Sequence, residues 1–157
     1  MDYILTNTGK RMSVENVMKD RFGNLQLQFL ETKLEVSREE LETIFRSYDE
    51  TKILILFTEG DLEQNTYSNY SALDEVTVKY GVVIQEAKPA VQAKEAVVDE
   101  NNQILVPAID AQEAIPEVRD NVITVTMGKL SMVEIQLQEL RSNVNDLNLG
   151  MAEILGV

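Results

Sequence analysis

The residues able to do chemistry in this 157-residue chain are carboxylates, because it has 27 Asp plus Glu and no histidine or cysteine. They cluster as Glu39-Glu40-Glu42, Asp49-Glu50, Glu59-Asp61-Glu63 and Asp99-Glu100. Two carboxylates at a set separation in a cleft hydrolyse glycosides, so one reading is a cell-wall-degrading glycosidase. Glu59, Asp61 and Glu63 alternate in one loop, as oxygen ligands of calcium do. The twelve-residue calcium loop with its central glycine and terminal glutamate is absent, however. Each cluster falls on a helix start, a turn or a linker, where acidic side chains favour the helix dipole or stay solvated. The commonest general base and the thiol nucleophile are missing. Disulfides and thiolate metal sites are excluded, and the chain has no phosphate-binding loop and no nucleophile elbow. The expectation is no catalytic residue, no cofactor, no metal and no enzyme.

The charge balance narrows the partners. Fourteen Lys plus Arg against the acids give a net charge of −13. With no basic stripe, this argues against nucleic acid and anionic membranes, which need clustered cations. No apolar stretch approaches the ~20 residues of a membrane helix. Met1-Asp2-Tyr3-Ile4-Leu5 lacks the basic start and apolar run of a secretory signal. A soluble protein made in the cytoplasm is expected.

The elements that must position any site follow from periodicity. Residues 1–87 read as an α+β module. Tyr3-Ile4-Leu5-Thr6 is a strand, Asn7-Thr8-Gly9-Lys10 a turn, and Arg11 to Lys19 a second strand. Leu25-Gln26-Leu27-Gln28-Phe29 alternates with period two, which predicts a strand with one buried face. Ser37 with Glu40 forms a capping-box pattern, and Val36 and Leu41 occupy the staple positions. Leu41, Ile44 and Phe45 form the apolar stripe of a helix ending near Tyr48-Asp49, which should cover one face of the sheet. The unbroken run Ile53-Leu54-Ile55-Leu56-Phe57 predicts a central strand covered on both faces. Gln64 to Tyr70 and Val82-Val83-Ile84 add strands, with Tyr67, Tyr70 and Tyr80 read as amphipathic edge residues. Short turns between strands imply a mainly antiparallel sheet.

Residues 88–120 are rich in Ala, Val, Pro, Glu and Gln and hold no aromatic residue. Their prolines remove amide donors, so the stretch reads as an extended linker, with Ile104-Leu105-Val106 a short strand after the Asn101-Asn102 turn. Residues 121–157 then supply the strand Val122-Ile123-Thr124-Val125-Thr126 and a helix capped by Ser131 and Glu134, with Leu130 and Ile135 as the staple.

That last helix carries the strongest pattern. Val133, Leu137, Leu140, Val144, Leu147, Met151 and Ile154 alternate between d and a positions of a heptad, and Leu130 extends the register back one step. Such a seam must be buried, against other chains or against the chain's own sheet, and the 3–4 alternation favours association. The e and g positions are mostly uncharged, so they do little to specify a partner. These eight residues are the expected oligomerisation site.

Thr66-Tyr67-Ser68-Asn69-Tyr70-Ser71-Ala72-Leu73 resembles a Tyr-x-x-Tyr-Thr-x-Leu stretch of small structural proteins from phages of Gram-positive bacteria. Val118-Arg119-Asp120-Asn121-Val122-Ile123-Thr124-Val125, leading through Gly128-Lys129-Leu130-Ser131 into a helix with Leu137, Asn143, Asp146 and Leu147, is similar to the same group. Leu149-Gly150-Met151-Ala152 stands where those proteins have an aromatic followed by paired methionines. The resemblance spans both modules but not the linker. It implies a virion component from the tail or tail-fibre gene region, a homo-oligomer with a trimer favoured, contacts with other virion structural proteins, and no catalytic residue. The expectation is therefore an α+β chain with a small, mainly antiparallel sheet, one covering helix, an extended linker, and a C-terminal strand and coiled-coil-like helix. It would act as a non-enzymatic tail, baseplate or tail-fibre-associated part. A capsid decoration or head-fibre protein and an assembly chaperone are the alternatives beside the glycosidase.

Overall fold

The computed structural model describes residues 1–156 and shows a mixed α+β protein with mainly antiparallel sheets and a C-terminal helix. The chain divides into two compact units, one made of Met1–Val78 and the segment from Val122 onward, the other of Lys79–Asn121.

In the first unit, β1 (Tyr3–Leu5), β2 (Arg11–Ser13), β5 (Ile53–Thr58) and β6 (Leu62–Ser68) form one sheet in the order β2-β1-β5-β6. A second sheet has the order β3-β4-β10-β7, from β3 (Asn16–Lys19), β4 (Leu25–Leu30), β10 (Val118–Gly128) and β7 (Ala72–Gln85). The stretch 11–19 is two strands rather than one. The chain leaves the first sheet at Val14, whose N–H bonds Asp2 O at 3.0 Å, and joins the second at Glu15, whose N–H bonds Gln28 O at 2.8 Å. Val14 is 1% exposed, so the crossing point is itself core.

The period-two reading of β4 matches the structure: Leu25, Leu27 and Phe29 are fully buried while Gln26 and Gln28 are half-exposed. The helix α1 (Arg38–Arg46) starts at Ser37, whose Oγ accepts the Glu40 N–H at 3.1 Å. Leu41, Ile44 and Phe45 enter the core, with the Phe45 ring 5.9 Å from Phe29. Burying one such side chain stabilises by about 1.5–3 kcal/mol, which is why a nine-residue helix can stay docked. A one-turn helix, α2 (Tyr48–Thr51), follows. Strand β5 is internal to its sheet but not covered on both faces. Leu54 is fully buried, Ile53 is exposed, and Ile55 to Thr58 are half-buried. A continuous apolar run thus overstates burial when only one side of the sheet meets the core.

Residues 121–157 are not a detached module. β10 pairs antiparallel with β4 from Val122↔Leu30 to Met127↔Leu25. Ile123, Val125 and Met127 alternate into the core, fully buried. At the end of β10, Gly128 meets Ala72, whose Cβ would lie 3.6 Å from any added Cβ.

The second unit corrects the reading of 88–120 as an extended linker. Outgoing and returning stretches pair at Lys88↔Ile115, Val91↔Gln112 and Lys94↔Ile109, and β8 (Val97–Val98) pairs with β9 (Ile104–Val106). The tip is a turn in which Asp99 Oδ1 accepts the N–H groups of Asn101 (2.9 Å) and Gln103 (2.8 Å), with Asn102 at φ 64°. The prolines misled because none of Pro89, Pro107 and Pro116 occupies a bridging position, so no ladder donor is lost. Near its other end, Gly81 N–H bonds Asn121 Oδ1 at 3.0 Å and Arg119 Nη1 bonds Gly81 O at 3.2 Å.

Candidate assembly site

The carboxylate clusters disperse into local duties. Glu42 pairs with Arg46 one turn on. Glu59 lies 3.5 Å from the N-terminal amine, Asp61 accepts the Tyr3 hydroxyl at 2.7 Å, and Glu63 accepts the Thr66 hydroxyl at 2.8 Å. The Tyr3 hydroxyl is held above its ordinary pKa by that bond to Asp61. Among the described residues, no group of three acidic side chains is placed to hold a metal. No helix among them is long and apolar enough to cross a membrane.

Glu50 is the buried exception, 8% exposed. Its Oε1 takes Lys10 Nζ at 2.7 Å, and its Oε2 accepts the hydroxyls of Thr6 (2.8 Å) and Thr8. Burial pushes this carboxyl up, but the bonds from Lys10, Thr8 and Thr6 outweigh burial and hold it below its ordinary value. Asn7 N–H bonds Glu50 O at 3.0 Å and Asn7 Nδ2 bonds Asp49 O at 3.1 Å. The acid at α2 therefore clamps the β1–β2 turn, and every oxygen it offers is spent on that clamp.

Tyr67 and Tyr70 meet edge to face at 6.1 Å, with the Lys19 and Lys129 ammonium groups 5.6 and 5.7 Å from the Tyr70 ring. Tyr70 is buried, and Tyr80 lies in the other unit, 69% exposed.

The eight heptad residues converge on one helix start and one helix face. Leu130, half-buried, fixes the start of α3 (Met132–Leu155): its N–H bonds Asn69 O at 2.8 Å, and Asn69 N–H bonds Lys52 O at 2.9 Å. Asn69 takes a φ of 62°, a left-handed conformation that asparagine tolerates. Both halves of the capping box form. Ser131 Oγ accepts the Glu134 N–H at 3.3 Å, and Glu134 Oε2 accepts the Ser131 N–H at 2.7 Å. The Ser131 N–H holds the Glu134 carboxyl below its ordinary pKa.

Beyond that start the helix buries nothing. Val133, Leu137, Leu140, Val144, Leu147, Met151 and Ile154 are between 47% and 86% exposed. The opposite face is the one turned toward the chain's own body. An open cleft of about 370 Å³ is lined by Ser47, Tyr48 and Asp49 on one side and by Gln138, Ser142, Asn145 and Asp146 on the other. Those four are b, c and f positions of the heptad, and Arg141, an e residue, stands at the cleft's rim. The helix thus shows its polar side to its own fold and its apolar seam to solvent. Leu140 and Val144 line a shallow apolar depression on that outer side.

The cleft has Asp49 on one wall and Asp146 on the other, a placement that sequence spacing gave no reason to expect. A general acid of the glycosidase kind needs a carboxyl held in dry surroundings. The Asp49 side chain is instead 73% exposed. Burial, then the charges of Glu139 and Asp49, raise the pKa of Tyr48 beside it. No family model matches this chain, and neither the curated proteins nor the solved structures contain a match to it.

Proposed function

We propose that this chain is a non-enzymatic structural subunit of a phage particle, of the tail, baseplate or tail-fibre region, that assembles through the a/d seam of α3. The observation that carries the assembly half is the outward seam: seven apolar side chains in heptad register, none of them buried and each 47% to 86% exposed. Seven such side chains left in water forgo most of the stabilisation that burial brings, about 1.5 kcal/mol or more each. Neighbouring copies with the same seam recover it. The resemblance of residues 66–73 and 118–147 to structural proteins of phages of Gram-positive bacteria supports the virion half and a trimer. The uses found for the acidic clusters, clamp, caps and turns, fit a part that binds rather than reacts.

Light scattering on the full-length chain and on Leu140→Asp tests the assembly half. The expected result is an oligomer that becomes a folded monomer in the variant, and a monomeric wild type overturns it. Mass spectrometry of purified particles tests the virion half. Absence from finished particles would favour an assembly chaperone, and labelling at the head would favour a decoration or head-fibre role.

A further inference from the structure

The unit Lys79–Asn121 has no core. Asp120 is the only buried residue among its described residues, and aliphatic side chains such as Ile104 and Leu105 are about two-thirds exposed. An isolated two-stranded ribbon is marginal in water. Its backbone shows what it lacks. Lys88 and Ile115, Val91 and Gln112, and Lys94 and Ile109 each exchange two N–H···O bonds of 2.8–2.9 Å. These doubly bonded pairs recur every third residue, whereas a regular antiparallel ladder repeats every second. The amides between the bridges, Ala90, Ala93, Ala111 and Ala114 among them, find no acceptor among the described residues. They must bond water or another backbone.

A strand of ordinary two-residue period drops out of step with donors spaced by three. A second copy of this ribbon keeps step with them. The charges say which edges meet. Within the bridged stretch, Lys88 to Lys94 of the outgoing strand carries two cations and no acid, while Ile109 to Ile115 of the returning strand carries Asp110 and Glu113 and no cation. Returning strands set against each other would stack acids. Every third residue from Ala87 to Ala96 and from Ala108 to Ala114 is alanine, so backbones can approach closely.

We propose that copies of this chain join ribbon to ribbon, the outgoing strand of one against the returning strand of the next, closing a ring through the unpaired amides. A contact between unlike edges generates a ring when its rotation closes. The proposal rests on the preceding one for the α3 seam that gathers the copies and requires no virion; it gives the gathered copies a second contact, too small to hold them together alone.

Residue-resolved amide exchange on the assembled full-length chain tests it. The expected result is protection of the Ala90, Ala93, Ala111 and Ala114 amides by at least about 100-fold over the free rate. That protection disappears in Lys88→Glu/Lys94→Glu and returns when Asp110→Lys and Glu113→Lys are added. Thermal melting of the core stays the same in both variants and certifies the fold. Free exchange of the four amides in the wild-type assembly overturns the proposal, as does protection that ignores the charge reversal. A failure of the seam reads differently, as an oligomer mass unmoved by Leu140→Asp.

Discussion

Both long helices begin at a serine whose Oγ accepts the N–H of a glutamate three residues on: Ser37 with Glu40 in α1, Ser131 with Glu134 in α3. Both carry apolar residues three and four apart. From there they diverge. The nine residues of α1 bury Leu41, Ile44 and Phe45, while the 24 of α3 bury none. Capping and periodicity make a helix in either place. Whether its stripe is covered depends on what the rest of the chain offers. Sheets β3-β4-β10-β7 and β2-β1-β5-β6 supply apolar partners to α1, and a polar cleft faces α3. The same local grammar thus yields a core element in one region and an exposed apolar stripe in the other.

The contrast breaks most plainly at paired substitutions. Phe45→Ala should cost about 3–5 kcal/mol in chemical denaturation, because it opens a cavity beside Phe29. The folded fraction should keep its oligomer mass. Leu140→Asp should do the reverse, leaving the core's denaturation midpoint unchanged at low protein concentration and abolishing assembly, since an unpaired charge in a buried seam costs several kcal/mol. If Leu140→Asp lowers the core's midpoint as Phe45→Ala does, the seam packs inward and the comparison fails.

A smaller effect tests the clamp that holds the first sheet to α2. Glu50→Ala strands Thr6, Thr8 and Lys10 and should cost about 1.5–3 kcal/mol, the range for hydrogen bonds to a charged group. The pH dependence follows from the depressed carboxyl. The folded value lies below the ordinary 4.5, so the stabilisation is complete above 4.5 and is lost as pH falls through the folded value. Denaturation midpoints of wild type should therefore drop below pH 4.5 more steeply than those of Glu50→Gln. Parallel curves would mean that the carboxylate's charge does not contribute.

Much of this was legible beforehand, and the failures share a cause. The strand at Leu25–Phe29, the helix behind Ser37 and the cap at Ser131 follow local rules, and the α+β class follows from their order. What escaped depends on distant partners. Arg11–Lys19 looks like one strand until Asp2 and Gln28 claim its two halves. Val122–Thr126 looks like the start of a tail until Leu25–Leu30 pairs with it. The 88–120 stretch did carry a usable signal, alanine at every third position, but a period of three matches neither the helix nor the strand template. Glu50 gave no signal at all, since nothing in Asp49-Glu50 announces a clamp on a turn forty residues earlier. Nor did spacing indicate which side of α3 would face its own fold, although it did mark the seam.

The finest comparison is between the two caps themselves. Ser37→Ala should cost about 1 kcal/mol of global stability, because α1 is docked and its start cannot open without the core. Ser131→Ala should leave global stability alone and unwind only the first turn of α3, whose neighbouring residues are exposed. The acid side of that cap offers a cleaner probe, because Glu134 is in water and its carboxyl is held down by the Ser131 N–H. With the folded pKa depressed, the cap is complete above the ordinary 4.5 and is lost as pH falls through the lower folded value. Glutamine fills the same capping position without titrating. In the Leu140→Asp background, where association does not mask fraying, helix signal by far-ultraviolet circular dichroism should decline on acidification below 4.5. Adding Glu134→Gln should remove the part of that decline due to the cap. Coincident acid profiles would show that the first turn of α3 is held by something other than its cap, most directly by the tether from Leu130 to Asn69.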